Sequence, residues 1–201
     1  MSEEVKPRFE FRAFAPGFGI VLEKMRRLAR CEKIRESSEH YIVSAQNNEN
    51  NTKIRDDKMD IKVFVREERG LQQWNPRMKG SFPMKSQMIL GEVFPAFGVA
   101  APELKRTEYS LHQYLEEVIR PHPELRVAHV FKRRFAFTVN GCITEHAEIR
   151  INGAAIETVA VESTDVPAIL EAKKLLGLDE YTNVNYLVAI KRVLGMLPLP
   201  E

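Results

Sequence analysis

Arg8-Phe9-Glu10-Phe11-Arg12 alternates charged and aromatic residues with period two, so in a strand Arg8, Glu10 and Arg12 share one face and the phenylalanines the other. The same alternation returns along the chain. Lys53 and Arg55 oppose Ile54; Asp60 and Lys62 oppose Ile61 and Val63; Lys132 and Arg134 oppose Phe131, Phe135 and Phe137. In the last two segments His146, Glu148 and Arg150 oppose Ala147, Ile149 and Ile151, and Glu162 lies opposite Val159 and Val161. Arginine forks grip phosphate oxygens in pairs and lysine supplies mobile positive charge, so Arg8, Lys53, Arg55, Lys62, Lys132, Arg134 and Arg150 form a candidate phosphate-binding face. Carboxylates within such a face would repel a phosphate unless a divalent cation joins them. Magnesium needs only one or two, with phosphate and water completing its shell, and Glu10 and Glu162 are the first candidates, Glu148 the third.

The elements that carry these residues follow from turns and periodicity. A first strand over 8–14 ends at Pro16-Gly17, and apolar positions from Ile20 to Ala29 recur at helical spacing. Strands at about 39–45, 52–56 and 59–66 form a meander, and 67–85, with Gly70, Pro76, Gly80 and Pro83, reads as an irregular connection. A helical insert at about 84–123 contains helices near 86–93 and 107–120, the second capped by Thr107 and stopped by Pro121. A second meander, 126–139, 143–151 and 155–162, turns at Asn140-Gly141 and Asn152-Gly153, the pairs that favour type I′ hairpins. Asp165 and Gly177 bound a helix, and a last one runs from about Asn183 to Leu194. The order predicts a single α+β domain over 1–201, built on antiparallel sheet.

Two architectures suit this pattern. An open sheet simply has one solvated face. Alternatively the sheet closes into a barrel, with helices outside on the apolar face and the charged residues lining a lumen that calls for an anionic guest.

Thirty Lys and Arg against 28 Asp and Glu leave a net charge of only +2 over 201 residues, which argues against a bulk polycation and against double-stranded nucleic acid as partner. No apolar run reaches membrane-spanning length, and the N-terminal residues lack the apolar stretch of a secretory signal. Cys31 and Cys142, expected as buried free thiols, suit a reducing cytoplasm. Lys191-Arg192 reads as a solvated helix face, with capping of the tunnel as the alternative, and His146 as a structural histidine.

In this order the strands resemble the CYTH superfamily, the triphosphate tunnel metalloenzymes that include class IV adenylate cyclases and thiamine triphosphatases. Arg8-Phe9-Glu10-Phe11-Arg12 stands where the family has its ExExK motif; Thr52-Lys53-Ile54-Arg55 is similar to its RxR strand and Asp60-Ile61-Lys62 to its TxK strand; Lys132-Arg133-Arg134 and the strand ending at Glu162 continue the series. The resemblance implies an eight-stranded antiparallel tunnel, Mg²⁺ or Mn²⁺ as cofactor, and a small triphosphate, nucleotide or polyphosphate as ligand, with a homodimer allowed. It also implies catalytic roles for Glu10, Glu162 and Arg12. Arg8 replaces the first Glu of the motif, Arg12 its Lys, and Ala160 one acid of the late pair, which thins the metal site to Glu10, Glu162 and one helper. Hydrolysis, cyclisation and non-catalytic anion binding all remain compatible with the sequence.

Overall fold

The computed structural model describes residues 7–199. Eight strands close into an antiparallel barrel: β1 (Arg8–Ala15), β2 (Lys33–Ser44), β3 (Asn50–Arg55), β4 (Lys58–Glu68), β5 (Leu71–Ser81), β8 (Leu125–Val139), β9 (Cys142–Ile151) and β10 (Ala154–Ser163). Their order around the wall is β1-β10-β9-β8-β2-β3-β4-β5, with β5 returning to β1. Closure removes both sheet edges and separates an inner from an outer face on every strand. Five helical segments complete the α+β fold: α1 (Gly19–Leu28), α2 (86–97), α3 (111–119), α4 (Val166–Leu176) and α5 (Tyr186–Val193). The two-stranded ribbon of β6 (Met84–Lys85) and β7 (Glu108–Tyr109) ties the segment carrying α2 and α3 together.

Local chemistry sets most boundaries. Asn140-Gly141 and Asn152-Gly153 adopt positive φ at both turn residues, as type I′ hairpins require. Asp165 accepts a hydrogen bond from the Ala168 N–H at 3.1 Å, and Gly177 ends α4 at φ 74°. Ser110, rather than Thr107, caps α3, in a reciprocal box with Gln113. The stretch expected to be irregular contains β5, because Arg69-Gly70 make a positive-φ turn and a register shift between Ile61 and Lys62 brings Pro76 opposite Lys62 at an irregularity in the ladder. The second strand starts at Lys33, six residues earlier than its pattern suggested, because it pairs with β8 over twelve positions. Cys142 is buried but Cys31 is exposed.

Three apolar clusters hold the molecule. Outside the wall, α1 and α4 cover Phe9, Phe11, Val159 and Val161, and α2 and α3 cover Ile42, Ile54, Met59 and Ile61. The third cluster lies inside the barrel, where Tyr186, Leu187 and Ile190 of α5 pack on Tyr41, Val43, Val130, Ala147, Ile149 and Ile151. Burial of those apolar faces makes α5 a plug. Lys191, 1% exposed, locks it by donating from Nζ to the Asn47 carbonyl (2.6 Å) and Asn48 Oδ1 (3.0 Å). The lumen is therefore apolar and filled at one end, polar and open at the other.

Candidate functional site

The polar half of the lumen is a cavity of about 160 Å³, lined by Glu10, Arg12, Tyr41, Asn51, Lys53, Lys62, Trp74, Lys132, Arg134, Glu145, Glu162, Asn185 and Tyr186. It has room for about five waters. Its charges fall into two fixed clusters and a free pair.

The first cluster surrounds Arg12. Strand register places Glu10 beside Glu162, and Arg12 beside Ala160, which in turn pairs with Glu145. Arg12 Nε donates to Glu10 Oε1 at 2.7 Å, Nη1 lies 3.6 Å from Glu145 and Nη2 3.8 Å from Glu162. The guanidinium also sits 4.8 Å from the Tyr186 ring centroid, so the plug helix supplies a cation–π floor. Ala160 is the reason the guanidinium can span three strands: a methyl there leaves the row between Arg12 and Glu145 open.

The second cluster surrounds Glu39, whose side chain is fully buried. Lys132 Nζ lies 2.9 Å from its Oε2, Arg55 Nη1 3.4 Å from Oε1 and Arg134 Nη1 4.0 Å from Oε1. Lys132 also donates to the Tyr41 hydroxyl at 2.7 Å and lies 3.8 Å from the Tyr186 ring centroid.

Lys53 and Lys62 are the free pair. Both line the cavity, and among the described residues neither takes part in an ion pair. An entering anion meets these two lysines without having to break an existing pair.

The electrostatics follow from burial and neighbours. Burial works to raise the Glu39 pKa, but Lys132, Lys53 and Arg134 overcome it and hold the carboxyl at about 2. Burial lowers Lys132 to about 7, with Glu39 opposing and Lys53 reinforcing the shift. Burial and the charge of Glu10 raise Glu162 to about 7. Glu10 stays below the usual carboxylate range because Arg12 outweighs its own desolvation. Glu10 and Glu162 thus share a site in which one readily keeps a proton.

Most of the residues proposed from sequence meet here. Glu10, Arg12, Lys53, Lys62, Lys132, Arg134 and Glu162 line the cavity, and Arg55 reaches its edge through Glu39. Arg8, half-exposed, stands at the mouth with Nη1 4.0 Å from Glu162. Glu148 and Arg150 do not belong to the lumen: both are exposed on the outer wall, in a surface groove with Glu36, Arg133 and Glu157. The inward residues of β9 are Glu145, Ala147, Ile149 and Ile151, so the polar face read as inward is the outer one. His146 is on that outer face too, stacked on Phe135 and 3.2 Å from Glu157, a structural role as expected. Glu39 and Glu145 escaped the sequence reading. Because they bring two more acids inside, the lumen is a balanced set of ion pairs with two spare lysines, rather than a uniformly basic surface.

No family model matches the sequence, and no curated protein shows significant similarity to it. Solved structures do share its architecture. A conserved hypothetical protein from Pyrococcus furiosus superposes with a TM-score of 0.52 at 16% identity, covering 90% of this chain and 98% of that one. A candidate adenylyl cyclase from Hippeastrum, described as having a dominant triphosphatase activity, matches at 0.52 and 13%, covering 92% and 96%. A candidate adenylate cyclase from Bacillus halodurans matches at 0.52 and 10%, covering 89% and 94%. At such identities the likeness is one of fold. What the chain shares with them is the eight-stranded antiparallel barrel, the architecture that its strand motifs led us to expect.

Proposed function

We propose that the lumen binds the terminal phosphates of a triphosphate or polyphosphate and hydrolyses the end phosphoryl group with one divalent cation held at Glu10 and Glu162. The observation that carries this reading is the placement of two unpaired lysines, Lys53 and Lys62, in the same cavity as a pair of adjacent carboxylates. That pair fits a single hard cation: burial, reinforced by the charge of Glu10 beside it in register, raises Glu162 to about 7, so the two carboxylates resist joint ionisation until a cation joins them. Ala160 leaves no further acid on that face of β10, and the third lumen carboxylate, Glu145, is engaged by Arg12 at 3.6 Å, which supports one ion rather than two. Bound there, Mg²⁺ or Mn²⁺ would neutralise and polarise phosphate oxygens.

The chain's own residues do the rest. Lys53, Lys62 and Arg134 bind phosphate oxygens and offset the negative charge of the transition state. Arg12 keeps Glu10 ionised and fixes its orientation through the 2.7 Å bond. Tyr186 of the plug, stacked on Tyr41 of β2, closes the inner end, so the terminal phosphate is the part of a chain that reaches Glu10 and Glu162. Glu145, partly exposed to the lumen, is the remaining carboxylate able to accept the proton of an attacking water.

Thermal shift with tripolyphosphate, with and without Mn²⁺, combined with phosphate-release measurements, tests the reading. Stabilisation by tripolyphosphate and turnover that needs the metal are expected. No stabilisation and no turnover would sink it. A second reading, a metal-independent anion binder, is favoured by one arrangement: Arg12 contacts all three lumen acids on its side and Arg8 approaches Glu162, so protein cations already neutralise them. Tight metal-free binding that Glu162→Gln leaves intact, with no turnover, would select it.

A further inference from the structure

β5 accompanies β1 only over Arg8–Glu10, whereas β10 runs beside β1 as far as Ala15. The edge of β1 that β5 leaves is covered by the segment between α4 and α5. There Asn183 Oδ1 accepts from the Arg12 N–H at 2.9 Å, and the Val184 N–H donates to the Arg12 carbonyl at 2.7 Å. Next to this contact, at Ala13 and Phe14, lies a cavity of about 320 Å³ that shares no lining residue with the lumen. Phe14, Ile151, Ile156, Val184, Val193 and Leu199 supply most of its wall. Val193 and Leu199 are 38% and 73% exposed, so apolar surface stays in water here. Gathered at one concave apolar site rather than scattered, such side chains mark a place for an apolar occupant. The volume is that of a small-molecule site, with room for about ten groups of water's size.

The polar groups of the cavity set the charge of that occupant. Lys191 and Arg192 are neighbours on α5 with separate tasks: Lys191 anchors the plug at Asn47 and Asn48, whereas Arg192 lines the cavity. Arg192 is half-buried and among the described residues forms no ion pair. Its Nε is shielded from solvent and has no hydrogen-bond partner among them. A buried N–H left unpaired costs free energy that a bound acceptor recovers. Glu180, at the rim, is exposed and solvated, so it calls for no partner. A guanidinium fork matches a carboxylate, and the apolar wall matches a hydrocarbon chain.

We infer that this cavity is a second binding site, separate from the lumen, for an apolar monocarboxylate of about ten carbons, its chain against Phe14, Ile151 and Ile156 and its carboxylate on Arg192. The test is calorimetric titration with decanoate, decanol and decylammonium, each below its micelle concentration, on the wild type, Arg192→Gln and Val193→Trp.

Decanoate should bind about tenfold more tightly than decanol or decylammonium, the factor that a hydrogen bond to a charged group supplies. Arg192→Gln should abolish that preference while leaving decanol unchanged, and Val193→Trp, which fills the cavity from an exposed helix position, should weaken decanoate and decanol alike. Tripolyphosphate should not displace decanoate, because the two sites share no residue. No decanoate binding by the wild type, or equal affinity for decanoate and decanol, overturns the inference. So does decanoate binding that Val193→Trp leaves unchanged or that tripolyphosphate abolishes. Should Val193→Trp fold poorly, Thr182→Trp fills the same cavity from an exposed position of the connecting segment and carries the same expectation.

Discussion

Replacing Glu39 with Gln removes the anion that three cations share while keeping its shape. In the folded protein the carboxyl lies at about 2 against an ordinary 4.5, a difference worth about 3 kcal/mol at roughly 1.4 kcal/mol per unit. The group is fully buried, so solvent does not dilute that figure. Because the folded value is depressed, the contribution is present above about 4.5 and is lost as pH falls from there toward about 2. Lys132 opposes part of this: with its pKa depressed from 10.5 to about 7, the buried ammonium carries a cost that grows as pH falls across that range and is complete below about 7, despite Glu39 at 2.9 Å. Without Glu39 that cost grows, and Lys132 becomes neutral at pH 7. Glu39→Gln should therefore lower the melting temperature by roughly 6–12 °C at pH 7 for a chain of this size, and should lack the wild type's loss of stability between about pH 4.5 and 2. Urea melts across pH and a thermal scan measure both effects. Adding Lys132→Met should restore part of the loss, because it removes the buried amine left without its anion. A single variant melting within about 2 °C of wild type, with the same acid limb, would refute the argument that Glu39 organises the lumen.

The pH dependence of ligand binding should split by metal. Without metal, tripolyphosphate should bind more tightly as pH falls from about 8 to about 6, since Lys132 gains charge and Glu162 loses it near 7, whereas divalent-cation binding needs Glu162 ionised and should improve in the other direction. Titrations at pH 6, 7 and 8, with and without Mn²⁺, check the two opposite slopes. Glu148→Gln and Arg150→Gln, on the outer wall, should leave both affinities within about twofold of wild type. A larger loss in either variant would return these residues to the site.

How much of this was legible in the sequence depends on what sets each feature. Strand alternation and hairpin turns are local, so β1, β3, β4, β8 and β10 disclose their inner residues from Glu10 to Glu162, and Asn-Gly pairs place two hairpins. β5 was hidden because Pro76 and the flanking glycines look like loop residues until a ladder irregularity accommodates them. The β9 error has a deeper cause. A charged-inside, apolar-outside rule presumes that the lumen is polar along its whole length, but α5 enters from one end and must bury Tyr186, Leu187 and Ile190. Below the level of Tyr186 the inner wall is therefore apolar. β9 points Ala147, Ile149 and Ile151 into that half and only Glu145 into the other, while Glu148 and Arg150 face water. β2 obeys the same division, with Glu39 above and Tyr41 and Val43 below. The helix responsible lies more than thirty residues beyond β9 in the chain, so no window around either strand contains the reason for its polarity. That same plug gives the tunnel a closed end and turns a charged pore into a site that can hold the end of a chain.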